Sequence, residues 1–144
     1  MKENIDPNWM GEGEKEEIYK ENILDHFRNP RNFGEINNAD IENSGLNPVC
    51  GDMIKMFVKL DENNNVTDVK FKGNGCAISV ASTSMLTERL KGKNLEEVKK
   101  ISKDEIIGML GIELGLVRLK CGLLCLNTLN NGIKIMEESR KWNL

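Results

Sequence analysis

Hydrophobic positions change period along the chain, and the changes mark its organisation. From Glu14, "EKEEIYKENILDHF" places Ile18, Ile23, Leu24 and Phe27 at near-helical spacing. This predicts a helix that ends at "RNPRNFG", where Pro30 and Gly34 break it. Residues 35–49 read as loop with room for a short strand. In "MIKMFVKL", Ile54, Met56, Val58 and Leu60 alternate with Lys55, Phe57 and Lys59, a strand with one strongly apolar face. "DENNN" is a turn. In "VTDVKFK", Thr67, Val69 and Phe71 alternate with Asp68, Lys70 and Lys72, so the two segments predict an antiparallel hairpin.

After "GNGC" the period becomes helical. "AISVASTSMLTERLKG" mixes small and apolar residues and stops at Gly92, and "SKDEIIGML" has an N-cap serine with a glutamate three residues on. The longest predicted helix comes last, where Leu119, Leu123, Leu126, Leu129, Ile133 and Met136 form a continuous apolar stripe. Strands followed by helices, without a βαβ rhythm, indicate an α+β layer fold. There is no internal repeat.

Length and charge narrow the class. The 144 residues suit one domain. The net charge of −3 is uneven, because residues 1–17 hold six acids and two lysines and the rest is close to neutral. We read residues 1–14 as a flexible acidic tail and 15–144 as the domain. A near-neutral body lacks the basic stripe of a nucleic-acid binder. No stretch is apolar enough to span a membrane or to serve as a signal peptide, which points to the cytoplasm. Thiols stay reduced there, so the four cysteines are candidates for metal ligation or thiol chemistry rather than for disulfides.

Three of them fall at the ends of predicted elements. Cys50 lies where loop becomes strand, and Cys76 lies where "KGNGC" enters a helix whose first N–H groups favour a thiolate. Cys121 lies near the start of the last helix, roughly 125° from the centre of its apolar stripe. Cys125, one turn on and roughly 85° from that centre, reads as a small buried hydrophobe, with a C-x-x-x-C metal pair or persulfide relay as the functional alternative. The separations match no zinc-finger template, and spacing alone leaves a metal or Fe–S site and buried structural thiols both open.

The words around the cysteines are more specific. "ILDHFRNPRNFG" (23–34), "NPVCGD" (47–52), "FKGNGCAISVASTSMLTERLKGK" (71–93) and "RLKC" (118–121) together resemble the IscU family of iron–sulfur cluster scaffolds, also found as the amino-terminal part of NifU, with SufU as a relative of the same fold. The resemblance runs from about Ile18 to Ile135. It implies a three-stranded antiparallel sheet packed against several helices, with a long C-terminal helix (the SufE/IscU-like fold). It also implies that a transient [2Fe–2S] cluster, or Zn2+ or Fe2+ in its place, is held by Cys50, Asp52, Cys76 and Cys121. Three soft thiolates suit iron and sulfide, and the harder carboxylate is the ligand that can let go. The resemblance further implies a cysteine desulfurase as sulfur source, Cys121 as persulfide acceptor and apo Fe–S proteins as recipients. An electron donor such as a ferredoxin, and a monomer or cluster-bridged homodimer, complete the expectation. Such a chain is a scaffold rather than an enzyme in the strict sense.

Two departures from the IscU pattern bear on this. The residue before the third cysteine is Lys120 where IscU proper has histidine, and a basic residue there resembles SufU. Lysine cannot ligate while protonated, but its charge can stabilise thiolate or sulfide. SufU's insertion of about twenty residues between the second and third cysteines is absent. The stretch matching IscU's chaperone-recognition word is "LGLVR" (114–118), without prolines. The SufU-like alternative is a zinc-dependent sulfurtransferase that accepts persulfide and activates a desulfurase. His26, the single histidine, reads as structural. The charged run from Lys93 to Lys100 reads as a solvated helix face.

Overall fold

The computed structural model describes residues 12–142, so residues 1–11 of the expected acidic tail lie outside the described residues. The first helix, α1 (Glu12–Arg28), begins inside the stretch read as tail. The sheet follows, with β1 (Ile41–Asn47), β2 (Asp52–Leu60) and β3 (Val66–Asn74). Four helices complete the described chain: α2 (Ala77–Leu90), α3 (Leu95–Lys99), α4 (Lys103–Leu110) and α5 (Leu116–Trp142). The strands lie in the order β1-β2-β3, all antiparallel, and α5 and α2 cover one face.

The alternation read in β2 sets that face. Ile54, Met56, Val58 and Leu60 are buried, and Val69 and Phe71 join them from β3. Thr67 does not. A register shift at Lys59/Leu60 pairs Leu60 with Val66 and Lys59 with Asp68, which sends Val66 inward and leaves Thr67 exposed. Phe57 points to the opposite face and is still only 3% exposed. It sits apart from the core, between the paired Glu42 and Lys70, with the Lys55 ammonium 5.3 Å from its ring centroid. The segment read as loop with a short strand holds the full edge strand β1. Its Gly45 is where α5 crosses, since a Cβ there would overlap the Thr128 hydroxyl.

Two helices differ from the expected stripes. On α1 the inward line is Tyr19, Ile23 and His26, while Leu24 and Phe27 are exposed, because α1 touches α2 along a narrow stripe only. On α5 the buried face includes Cys121, Leu124, Cys125 and Thr128, and Leu119 and Leu123 are half-buried. The first half of α5 is wedged between β1 and α2, which buries two sides and moves the buried centre towards the cysteines.

Helix α2 runs through the middle with five fully buried hydroxyls: Ser79, Ser82, Thr83, Ser84 and Thr87. Most bond their own helix: Ser82 and Thr83 donate to Ser79 O at 3.1 and 2.7 Å, and Thr87 donates to Ser84 O at 2.7 Å. Ser84 instead accepts the Arg31 N–H at 2.9 Å and lies 2.7 Å from His26 Nδ1. His26 is buried and bonded, as expected of a structural histidine, and burial pushes its pKa down from 6.5. The run from Lys93 to Lys100 contains α3, which has charged residues outside but buries Leu95 and Val98. A complete capping box forms there, with Asn94 accepting from the first turn and Glu97 reaching back to the Asn94 N–H at 3.1 Å. At α4 the Ser102 hydroxyl accepts the Glu105 N–H at 3.1 Å.

Candidate metal and sulfur site

The turn between β1 and β2 explains why a glycine stands between the first thiol and the carboxylate. Asn47 pairs with Asp52 at the end of the ladder, and the Asn47 carbonyl accepts the N–H groups of Gly51 at 2.8 Å and Cys50 at 3.3 Å. Gly51 takes φ +72°, a left-handed conformation that glycine adopts without steric cost. The reversal leaves Cys50 exposed at the tip and turns Asp52 inward, where it is 0% exposed.

Asp52 divides its two oxygens. Oδ1 accepts the N–H of Cys76 at 2.9 Å, and Oδ2 lies 3.8 Å from Cys76 Sγ. Cys76 is the N-cap residue of α2 but its own side chain makes no capping bond, so the Asp52 carboxylate serves the start of that helix instead. Gly75 permits this approach, because a Cβ there would overlap the carboxylate and the Ser79 hydroxyl.

The third thiol arrives from α5. Cys121 Sγ lies 3.3 Å from Cys50 Sγ, and it receives a hydrogen bond from Asn47 Nδ2 at 3.4 Å. One donor atom each from Cys50, Asp52 and Cys121 falls within 4.8 Å of the others, and Cys76 adjoins this group through Asp52. The structure therefore brings together the four residues expected as ligands. Two clustered thiols and a carboxylate, with a third thiol beside them, form a donor set that fits a borderline or soft cation such as zinc or iron. Cys121 is 1% exposed. Burial pushes its thiol well above the ordinary range, with bonds to Asp52, Cys50 and Cys76 acting in the same direction. A metal binding there would displace the proton.

Two other named residues stand differently. Cys125 is buried in the core, its thiol pushed up to about 11 by burial, with Sγ 3.6 Å from the Gly122 carbonyl oxygen. Lys120 is exposed and is not among the described residues lining the cavity of about 500 Å³ beside the cysteines. That cavity is walled by Ile78 and Ile112, and the cations on it are Arg118 and Lys20. Sequence reasoning missed both, although helical geometry carried the signal: Arg118 lies three residues from Cys121 and shares its side of α5, whereas Lys120 is displaced by about 100°. Within five positions of Cys50 or Cys121 in the chain, Leu46, Val49, Met53, Leu116 and Val117 are exposed, Leu116 by 82%, and Val117 lines the cavity.

A three-stranded antiparallel sheet packed under helices, with thiols and a carboxylate from three distant segments meeting at one end, is an architecture suited to holding a metal. The family described as NifU-like N terminal domain matches residues 18–142. The chain belongs to that family. It is 40% identical over 116 residues to iron-sulfur cluster assembly scaffold protein IscU 1 of Archaeoglobus fulgidus, covering 81% of this chain and 74% of that one. It is also 35% identical over 133 residues to the zinc-dependent sulfurtransferase SufU of Bacillus subtilis, covering 81% and 89%. Among solved structures, a SUF-system iron-sulfur cluster assembly scaffold protein of Fervidobacterium islandicum superposes with TM-score 0.68 at 32% identity, covering 81% of this chain and 97% of that one.

Proposed function

We propose that the protein is a scaffold on which a [2Fe–2S] cluster is assembled from iron and desulfurase-derived sulfur and then passed to apo-proteins. The observation that carries this reading is the convergence of Cys50, Asp52, Cys76 and Cys121 at one open end of the fold. Three thiolates would hold iron and sulfide, and the carboxylate is the harder, poorer partner for the same metal. Arg118 and Lys20 supply positive charge on the cavity wall, which suits an anionic cargo.

Sulfur delivery follows from exposure. Cys121 is the buried thiol and Cys50 the exposed one 3.3 Å away, so an incoming donor meets Cys50 first. The Cys50 thiolate attacks the outer sulfur of a donor persulfide and expels the donor thiolate. Cys121 then attacks that same outer sulfur while its proton passes along its hydrogen bond to the departing Cys50 sulfur, which leaves Cys50 as thiol and Cys121 carrying the persulfide. Neither step needs an outside redox agent. Conversion of sulfane sulfur to sulfide takes two electrons, which a ferredoxin-class donor would deliver one at a time in two encounters. The partners of this reading are a cysteine desulfurase and apo Fe–S proteins. Four free thiols suit a reducing cytoplasm, and no described helix is long and apolar enough to cross a membrane.

The exposed Cys50 and the basic Lys120 favour a second reading, a zinc-dependent sulfurtransferase. Anaerobic reconstitution with iron and a sulfur donor, followed by transfer to an apo-ferredoxin, separates the two. The scaffold gives a visible chromophore that moves to the acceptor. Tightly bound zinc with no transferable cluster, and desulfurase stimulation lost in Cys121→Ser, would establish the sulfurtransferase instead.

A further inference from the structure

Asn47 ends β1 and is 6% exposed, unusual for a side chain that is mostly found at surfaces. Its groups face two different parts of the site. The main-chain carbonyl holds the N–H groups of Cys50 and Gly51, and side-chain Oδ1 accepts the Val49 N–H at 3.3 Å. Side-chain Nδ2 then faces Cys121 Sγ at 3.4 Å. The orientation of the amide is settled by this pairing. The Val49 N–H can only donate, so the oxygen must face it and the nitrogen is the atom left for sulfur. One short side chain thus holds the Cys50 loop by its oxygen and the α5 thiol by its nitrogen, although Asn47 and Cys121 stand 74 positions apart in the chain.

We propose that Asn47 is a positioning residue for the sulfur chemistry: its Nδ2 hydrogen bond keeps Cys121 Sγ facing Cys50 and stays on that sulfur when it is a metal-bound thiolate. The proposal rests on the reading of Cys121 as ligand and sulfur carrier. An N–H donor directed at a ligand sulfur withdraws electron density from it and fixes its direction, as outer hydrogen bonds do at other metal and cluster sites. Among the described residues, Asn47 supplies a side-chain nitrogen within hydrogen-bond distance of Cys121 Sγ.

The test uses the full chain and Co2+ as probe, comparing the parent with Asn47→Ala and Asn47→Asp. The aspartate keeps an oxygen towards Val49 and removes the donor to sulfur, so it separates the hydrogen bond from packing. In both variants the thiolate-to-cobalt charge-transfer band should move to longer wavelength, and in Asn47→Ala the Co2+ affinity should fall about 10–100-fold. A metal-free measurement accompanies this. Diamide joins Cys50 to Cys121 by oxidising the two thiols to a disulfide while being reduced to its hydrazine, and the rate of that link reports how well the sulfurs are held together. It should drop several-fold in Asn47→Ala, as followed by peptide mass spectrometry. An unmoved band with unchanged cross-linking in both variants overturns the proposal, as does failure of the parent to form the link. If the parent binds no Co2+, the metal-site reading fails and the cross-linking rates alone decide the role of Asn47. Should Asn47→Ala not fold, as judged by circular dichroism, the same two measurements on Asn47→Asp decide it.

Discussion

The two ends of the sheet are finished in opposite ways. At the β2–β3 turn, Asp61 Oδ1 accepts the N–H groups of both Asn63 and Asn65 at 2.9 Å. These bonds, above all that from Asn65, hold its carboxyl below the usual carboxylate range. Asn94 caps α3 and also donates to Asn63 O and Asn65 Oδ1, and Arg140 from the end of α5 donates to Asn64 at 3.0 Å. These bonds tie the turn at that end to α3 and to α5. At the other end, where thiols from three segments meet, Val117 is exposed on the shared cavity and Leu46, Val49, Met53 and Leu116, neighbours in the chain, are exposed too. In the proposed function this is the end that would be completed from outside, by cargo and by the proteins that deliver and collect it.

The contrast can be broken most sharply at the open end. Cys50→Ser should reduce persulfide loading of Cys121 from a small persulfide donor by more than about tenfold, since the buried thiol loses its exposed relay. Trapping and mass spectrometry of the Cys121 peptide measure this, and equal loading would mean that Cys121 has a route of its own. The carboxylate comes next. Asp52→Ala removes both the proposed ligand and the acceptor for the Cys76 N–H, and should cost about 1–3 kcal/mol of stability, whereas Asp52→Asn keeps an acceptor and should cost less. Both should slow cluster departure to apo-ferredoxin. Transfer at the parent rate would remove Asp52 as the releasable ligand.

The closed end gives smaller effects. Asn94→Ala should lower stability by about 1 kcal/mol through loss of the cap while leaving Co2+ affinity unchanged. A change in affinity would show that the two ends are coupled. Smallest is the pH effect at His26. Its folded pKa lies below the unfolded value of 6.5, so folding favours the neutral ring. Below the unfolded value the unfolded chain binds the proton more readily. Stability is therefore whole above it and declines as the pH falls towards the folded pKa. Urea midpoints across that range should show the decline, and His26→Gln should flatten it.

Much of this architecture was legible in the residues, for identifiable reasons. Ile54, Met56, Val58 and Leu60 alternate because β2 is the central strand with one covered face, and the pattern reports that face directly. β1 was harder to see, because "IENSGLN" owes its strand to pairing with β2 and to the crossing of α5 at Gly45. Thr67 misled because a one-residue bulge leaves no mark in the alternation. The four proposed ligands were visible as family words, while Asn47 and Arg118 depend on where β1 ends and which way α5 faces. A single apolar stripe could not show that α5 is covered on two sides, which is why Cys121 looked more exposed than it is.

The hydroxyl row of α2 has a mechanical consequence. Its side chains are short and largely bonded within their own helix, so α2 gives up little rotamer freedom on folding and leaves little slack in its surroundings. It also starts at Cys76 and packs along α5, which carries Cys121. A change in how closely α2 packs on α5 would therefore move Cys76 relative to Cys121. One added methylene at Ala81 or Ser82, both fully buried, would widen the gap between neighbouring elements before it unfolded any of them.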